Sequence, residues 1–160
     1  MEILNNSDKF YFFLRKFKAL LQYQYNIKEF ALKFFDENNL SFILSKKTGR
    51  LKYVYYDNKI IATFRAHDGF IVFSNYGANL ILKLIDYPKM RVVIPSDISE
   101  FISKGRNVFA KHILKIDNEL RPESEVFIVD PDDNLIALGK LILNKNEIFQ
   151  FKSGVAVKVR

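Results

Sequence analysis

Between Phe101 and Lys111, three cations (Lys104, Arg106 and Lys111) surround Gly105 and Asn107. Cations and open backbone N–H groups at such a joint can hold phosphate oxygens. The same charges also suit a plain helix-to-strand connection facing water. A second cluster, Lys46-Lys47-Thr48-Gly49-Arg50, concentrates three cations on a turn with glycine chemistry. It is not a P-loop, because the second glycine and the Gly-Lys-Ser/Thr order are missing. His67 and His112 are the only histidines. A catalytic pair would need a nucleophile and a shaped pocket around them, and we expect no catalysis from this chain alone. Asp130, Asp132 and Asp133 lack EF-hand spacing and its late Glu, so no metal is expected there. No cofactor is expected either.

The elements that position these residues can be read from periodicity. Phe10, Phe13, Leu14, Phe17, Leu20 and Leu21 recur at one face of a helix, with Ser7 or Asp8 as cap. Lys9, Arg15, Lys16 and Lys18 decorate its other faces, as on a core helix with a solvated basic back or on a helix lying on RNA or membrane. After a break at Gln22–Asn26, Asn26 and Glu29 read as a capping box for a second helix. Its apolar face is Ile27, Phe30, Ala31, Phe34 and Phe35. From Ser41 the pattern turns to strands: 41–44, 51–56, 59–65 and 70–73 form an antiparallel meander. A helix over about 75–85 follows. The Lys46–Arg50 cluster then lies on a hairpin tip.

In the remainder, 91–94 is a short strand. Ser96 reads as the cap of a helix whose buried face is Ile98, Phe101 and Ile102. Gly105 ends that helix in the left-handed manner. Strands follow at 107–114, 125–129, 135–143 and 155–159, with a polar connection around 144–147. Phe109 alternates with its neighbours in the first of these, which leaves both a core and a surface position open for it. Gly139 marks a bend or a close backbone approach. So many short strands with turns at this spacing argue for a small curved β-barrel with one helix at its mouth.

Composition sets the limits. The chain has 160 residues, enough for one ordinary domain or two small ones, and 49% are apolar, enough for a real core. With no cysteine, disulfides, thiol nucleophiles and Cys-ligated zinc are excluded. The first residues lack the apolar region of a secretory signal, and no apolar run reaches the roughly 18–20 residues of a membrane span. A cytoplasmic protein without a membrane partner is expected. Net charge is +7. Residues 1–90 hold 14 Lys+Arg against 8 Asp+Glu, and residues 91–160 hold 11 against 10. Such a chain favours a polyanionic partner.

The residues also carry a resemblance. The matching stretches, in order, are 45–50 (Ser-Lys-Lys-Thr-Gly-Arg), 62–69 (Ala-Thr-Phe-Arg-Ala-His-Asp-Gly), Gly77-Ala78, 87–93 (Tyr-Pro-Lys-Met-Arg-Val-Val), 105–111 (Gly-Arg-Asn-Val-Phe-Ala-Lys), Asp117, Arg121-Pro122, Glu125-Val126 and 154–160 (Gly-Val-Ala-Val-Lys-Val-Arg). The C-terminal segment resembles a PUA domain. Most of the chain is similar to the C-terminal region of archaeal tRNA-guanine (archaeosine) transglycosylase. Before Ser45 the likeness thins: the family often has Asp-Tyr-Gln-Phe-Gly where this chain has Gln22-Tyr23-Gln24-Tyr25-Asn26.

The resemblance implies an α+β chain. N-terminal helices pack on a small antiparallel sheet in a pre-PUA domain (1–88), and a PUA-like β pseudo-barrel with one main helix follows (89–160). It implies binding of tRNA or another structured RNA, by shape and through phosphate and 2′-OH groups. The family's catalytic barrel and zinc site are missing, so the implied role is an accessory or split subunit beside a separately encoded catalytic subunit. The PUA surface maps to Lys104, Gly105, Arg106, Asn107, Phe109, Lys111, Lys158 and Arg160, with Lys46, Lys47 and Arg50 extending it. Two other expectations stay open: a PUA-type factor acting on the ribosome or initiator tRNA, and a protein–protein scaffold without RNA affinity.

Overall fold

The computed structural model describes residues 2–4, 7–151 and 153–160. They form two compact units, Met1–Ile85 and Asp86–Arg160.

The first unit contains β1 (Glu2–Leu4), α1 (Asp8–Tyr25), β2 (Leu40–Leu44), β3 (Leu51–Tyr56), β4 (Lys59–Phe64), β5 (Ile71–Phe73) and α2 (Asn75–Leu82), with 3₁₀ turns at Glu29–Phe34 and Glu37–Asn39. The strands form one antiparallel meander in the order β1-β2-β3-β4-β5. The sequence reading missed β1, which is too short for alternation to register.

Ser7 caps α1 by accepting the Phe10 N–H. The helix buries Phe10, Phe13, Leu14, Phe17, Leu21 and Tyr25. Phe42 lies 5.3 Å from Phe10 and 6.0 Å from Phe17, ring centre to ring centre. Tyr25 and Phe73 are 4.7 Å apart. Each such buried ring contributes about 1.5–3 kcal/mol by leaving water, so this aromatic layer is what holds α1 on the sheet.

The expected break at Gln22–Asn26 is not a break. α1 runs on to Tyr25, and Asn26 is its C-cap, in the left-handed region at φ 53. Asparagine tolerates that conformation better than other non-glycine residues, which suits it to the place where the resembled family carries glycine. The expected second helix is a 3₁₀ turn whose N-cap, Lys28, makes no side-chain cap. The Phe30 side chain lies outside the described residues.

α2 approaches β4 closely. A Cβ on Gly77 would lie 2.0 Å from the Ile61 carbonyl oxygen. Ser74 sets this contact by accepting the Gly77 N–H at 3.0 Å and donating to Ile60 O at 2.6 Å.

The second unit contains β6 (Arg91–Val93), α3 (Ser99–Ser103), β7 (Val108–Phe109), β8 (Lys115–Ile116), β9 (Glu125–Val129), β10 (Leu135–Leu141), α4 (Lys145–Gln150) and β11 (Val155–Val159). Its mixed sheet has the order β7-β11-β10-β9-β6-β8, with only β6 and β9 parallel. All five residues of β9 are buried. On β10, a Cβ at Gly139 would lie 2.5 Å from Val157 Cγ1 and 3.0 Å from Lys158 O, so glycine lets β11 close against β10.

Arg91 is 2% exposed. Its guanidinium meets both Asp133 carboxylate oxygens at 3.0 Å and the Lys89 carbonyl at 2.9 Å. Asp130 accepts the backbone N–H groups of Asp132 and Asn134 and the Asn134 side-chain amide. Partial burial raises its pKa, but those bonds outweigh it and hold the carboxyl below the ordinary value of 3.8. The acid-rich turn is therefore a structural knot on a buried arginine.

Three local expectations change. Ser96 is not a cap; it opens a 3₁₀ turn, Ser96–Ile98, and α3 begins only at Ser99. The strand expected over 107–114 shortens to β7, because Ala110–His112 turns into a 3₁₀ helix. The polar stretch at 144–147 starts α4: Asn144 and Glu147 exchange the two hydrogen bonds of a capping box.

Candidate RNA-binding surface

α3 ends in a paired stop. The Gly105 N–H donates to Ile102 O at 2.9 Å, and the Arg106 N–H donates to Phe101 O at 3.2 Å. This is the Schellman arrangement, and it needs a left-handed residue just past the helix. Gly105 supplies it at φ +90. The turn carries Arg106 and Asn107 into a groove of about 360 Å³, whose apolar walls are Ile98, Phe101, Ile102 and Phe109, with His112 at its edge.

Phe101 is 61% exposed and Phe109 44%. The sequence reading placed Phe101 on the buried face of α3, but in so short a helix only Ile102 is buried. Of the two positions left open for Phe109, the structure takes the surface one: its neighbours Val108 and Ala110 point into the core and Phe109 points out. Two exposed rings beside a guanidinium can stack on unpaired bases while the cation meets a phosphate. Phe101, Ile98 and His112 were not in the candidate set. The available signal was a large aromatic residue directly before the cationic stop.

The other candidates are less uniform. Lys104 is exposed and pairs with Glu100 at 2.5 Å, a bond of little worth at a surface. Lys111 is exposed on the 3₁₀ turn after β7. Asn107 Oδ1 accepts the Val159 N–H at 3.1 Å and ties the loop to β11. Lys158 is exposed on β11, beside Lys140 of β10. Arg160 pairs with Glu125, a carboxylate only 7% exposed. The structure thus brings Arg106, Asn107 and Phe109 around one groove, and turns Arg160 toward an internal acid. Lys46, Lys47 and Arg50 are exposed on the β2–β3 hairpin of the first unit.

Comparison with known proteins agrees with this architecture. The PUA domain family matches residues 90–160. The patch-forming domain C2 of tRNA-guanine transglycosylase matches residues 15–88. The tRNA-guanine(15) transglycosylase of Methanocaldococcus jannaschii is 43% identical over 148 residues, covering 91% of this chain and 22% of that protein. The enzyme of the same name from Thermococcus onnurineus is 44% identical over 117 residues, covering 73% of this chain and 20% of that protein. The chain therefore spans about a fifth of the length of these relatives. Among solved structures, a hypothetical protein from Pyrococcus horikoshii superimposes with TM-score 0.73 at 20% identity, covering 99% of this chain and 93% of that one. A conserved PUA domain protein from Thermoplasma acidophilum does so with TM-score 0.63 at 17% identity, covering 92% of this chain and 88% of that one. With the C2 match on its first unit and the PUA match on its second, the chain belongs to the PUA-domain proteins and is homologous to the C-terminal region of archaeal tRNA-guanine transglycosylase.

Proposed function

We propose that this protein binds tRNA and acts as an accessory or split subunit in tRNA modification of the archaeosine transglycosylase type. A separately encoded subunit supplies the catalytic barrel. The observation that carries this reading is the match itself: both domains correspond to enzymes named for tRNA-guanine transglycosylation, and together they span 22% of the M. jannaschii protein. The groove supports it with exposed Phe101 and Phe109 next to Arg106.

In this reading, residues 1–88 and 89–160 act as two RNA-binding modules. Lys104, Arg106, Phe109, Lys111 and Lys158 contact RNA. Gly105 and Asn107 shape the loop, and Arg160 fixes the end of β11. Phosphate contacts give affinity and salt dependence, and stacking on the rings favours an unpaired end. The setting is cytoplasmic; among the described residues no helix is long and apolar enough to cross a membrane.

The test is a gel shift with bulk tRNA and with tRNA lacking its 3′ end, across a salt series. Salt-sensitive binding that requires the 3′ end is expected. Equal binding to any duplex, or none, would overturn the reading and favour a protein scaffold.

A further inference from the structure

The second unit carries another groove, of about 470 Å³, which shares no residue with the one beside α3. It opens between β8 and α4. Pro88, Leu114, Ile116 and Phe149 form its apolar floor, and its cations are Lys89, Lys115 and Lys145. Leu114 and Phe149 are each 56% exposed. A large apolar side chain left singly in water is ordinary, but two that line one cavity mark a place for a partner. β8 is also the last strand of its sheet, with β6 on one side and, among the described residues, no strand on the other. Such an edge can accept an extended segment, whose main chain continues the ladder and whose alternate side chains enter the neighbouring cavity.

The charges around the groove fix the chemistry of that segment. Asp117 is buried and committed to its own turn: Oδ2 accepts the Met90 N–H at 2.8 Å and Oδ1 accepts the Glu119 N–H at 3.0 Å. Lys145 Nζ donates to the neutral Asn118 Oδ1 at 2.5 Å, and Lys115 Nζ lies 4.6 Å from the centre of the Tyr87 ring. Among the described residues, Lys89, Lys115 and Lys145 have no acidic partner. Three such lysines against the one exposed acid, Glu119, leave the rim positive. An apolar floor inside a basic rim is complementary to a segment that alternates apolar and acidic side chains. A phosphate backbone would meet the lysines and leave the floor empty.

We propose that the groove between β8 and α4 docks an acidic, extended segment of a partner protein. One apolar side chain of that segment enters the cavity lined by Leu114 and Phe149, and its carboxylates meet Lys89, Lys115 and Lys145. The proposal rests on the accessory-subunit reading above and assigns the surface through which the catalytic subunit is held.

The experiment titrates the full chain into two fluorescent decapeptides, one alternating Glu and Leu and the other alternating Lys and Leu, and reads anisotropy. The acidic peptide should bind saturably and at least tenfold more tightly than the basic one. Leu114→Ala with Phe149→Ala should weaken it at least tenfold and leave the tRNA gel shift as in wild type. Lys115→Glu with Lys145→Glu should reverse the preference, so that the basic peptide binds better. No peptide binding, or equal binding of both peptides, would overturn the groove as a docking site and leave the RNA-binding reading standing. A weaker tRNA gel shift in the Leu114 and Phe149 variant would also overturn it, by moving the groove into the RNA footprint. Charge-selective peptide binding by a protein that binds no tRNA would support the groove and remove the RNA-binding reading.

Amide hydrogen exchange locates the peptide without any substitution. Exchange across residues 114–118 should slow when the acidic peptide is bound, while exchange across 104–106, at the stop of α3, should stay the same. Slowing at 104–106 alone, or at neither place with the peptide still bound, would put the peptide elsewhere and overturn the proposal.

Discussion

At the β2–β3 tip, Lys46 and Lys47 face water and have no acidic partner among the described residues. At the end of the other unit, Arg160 is pinned to Glu125, a carboxylate only 7% exposed. Both are cations in stretches that resemble the same family, and charge alone would rank them equally. The difference is the local environment. A buried carboxylate needs its partner, and removing one member of such a pair exposes the cost of the other. A solvated lysine can exchange its counterions for a phosphate at little cost. The groove beside α3 is a third case, where exposed rings flank the cation and stacking joins charge.

This contrast can be broken most forcefully at the groove. Phe101→Ala with Phe109→Ala should weaken tRNA binding at least tenfold, because stacking of a base on an aromatic ring is worth about 1–3 kcal/mol. The salt slope and thermal stability should hardly move. A drop of many degrees in Tm would make these rings packing residues instead.

Arg160→Ala should behave in the opposite way. It removes a hydrogen bond to a charged group, worth about 1.5–3 kcal/mol. Tm should fall by several degrees while the salt slope of the folded protein stays. A flattened slope would move Arg160 into the RNA footprint.

Lys104→Ala with Arg106→Ala sits between them: the slope should flatten by roughly 2 units with little loss of stability. An unchanged slope would take both side chains out of the footprint.

The smallest effect concerns acid. Partial burial raises the Asp68 pKa, but the Phe70 N–H and the charges of Arg65 and His67 hold it below the ordinary 3.8. A lowered folded-state value means the carboxylate stabilises the β4–β5 tip above about pH 4, and that contribution is lost as pH falls through the folded value. Amide exchange at Phe70, which donates to Asp68 at 3.0 Å, should accelerate there relative to Arg50, whose N–H meets the neutral Thr48 hydroxyl. Equal acceleration at both would remove Asp68 as the cause.

The parts legible in the sequence were those where one local rule acted alone. The periodic face of α1 and the left-handed stop at Gly105 fall in this class. Asn26 misled because asparagine serves both as an N-cap and as a left-handed C-cap, and the 3₁₀ turn after it removes the expected helix. α4 was hidden because the Asn144 and Glu147 box precedes a short segment with one buried residue, Ile148. Phe101 misled because spacing on a five-residue helix cannot say how much of its face the sheet covers. The groove between β8 and α4 joins residues from 88–89, 114–119 and 145–149, which no single stretch contains.

Gln24 makes the edge of the first sheet look occupied. Its side-chain amide donates to Ile71 O at 2.7 Å and its oxygen accepts the Ile71 N–H at 2.8 Å, while the Tyr25 hydroxyl reaches the same carbonyl at 2.9 Å. One glutamine thus imitates the ladder bonds of a further strand. An edge already answered in this way is a poor template for a second chain. The unit can therefore keep an apolar β5, Ile71–Phe73, at its border and resist strand-by-strand association there at high concentration.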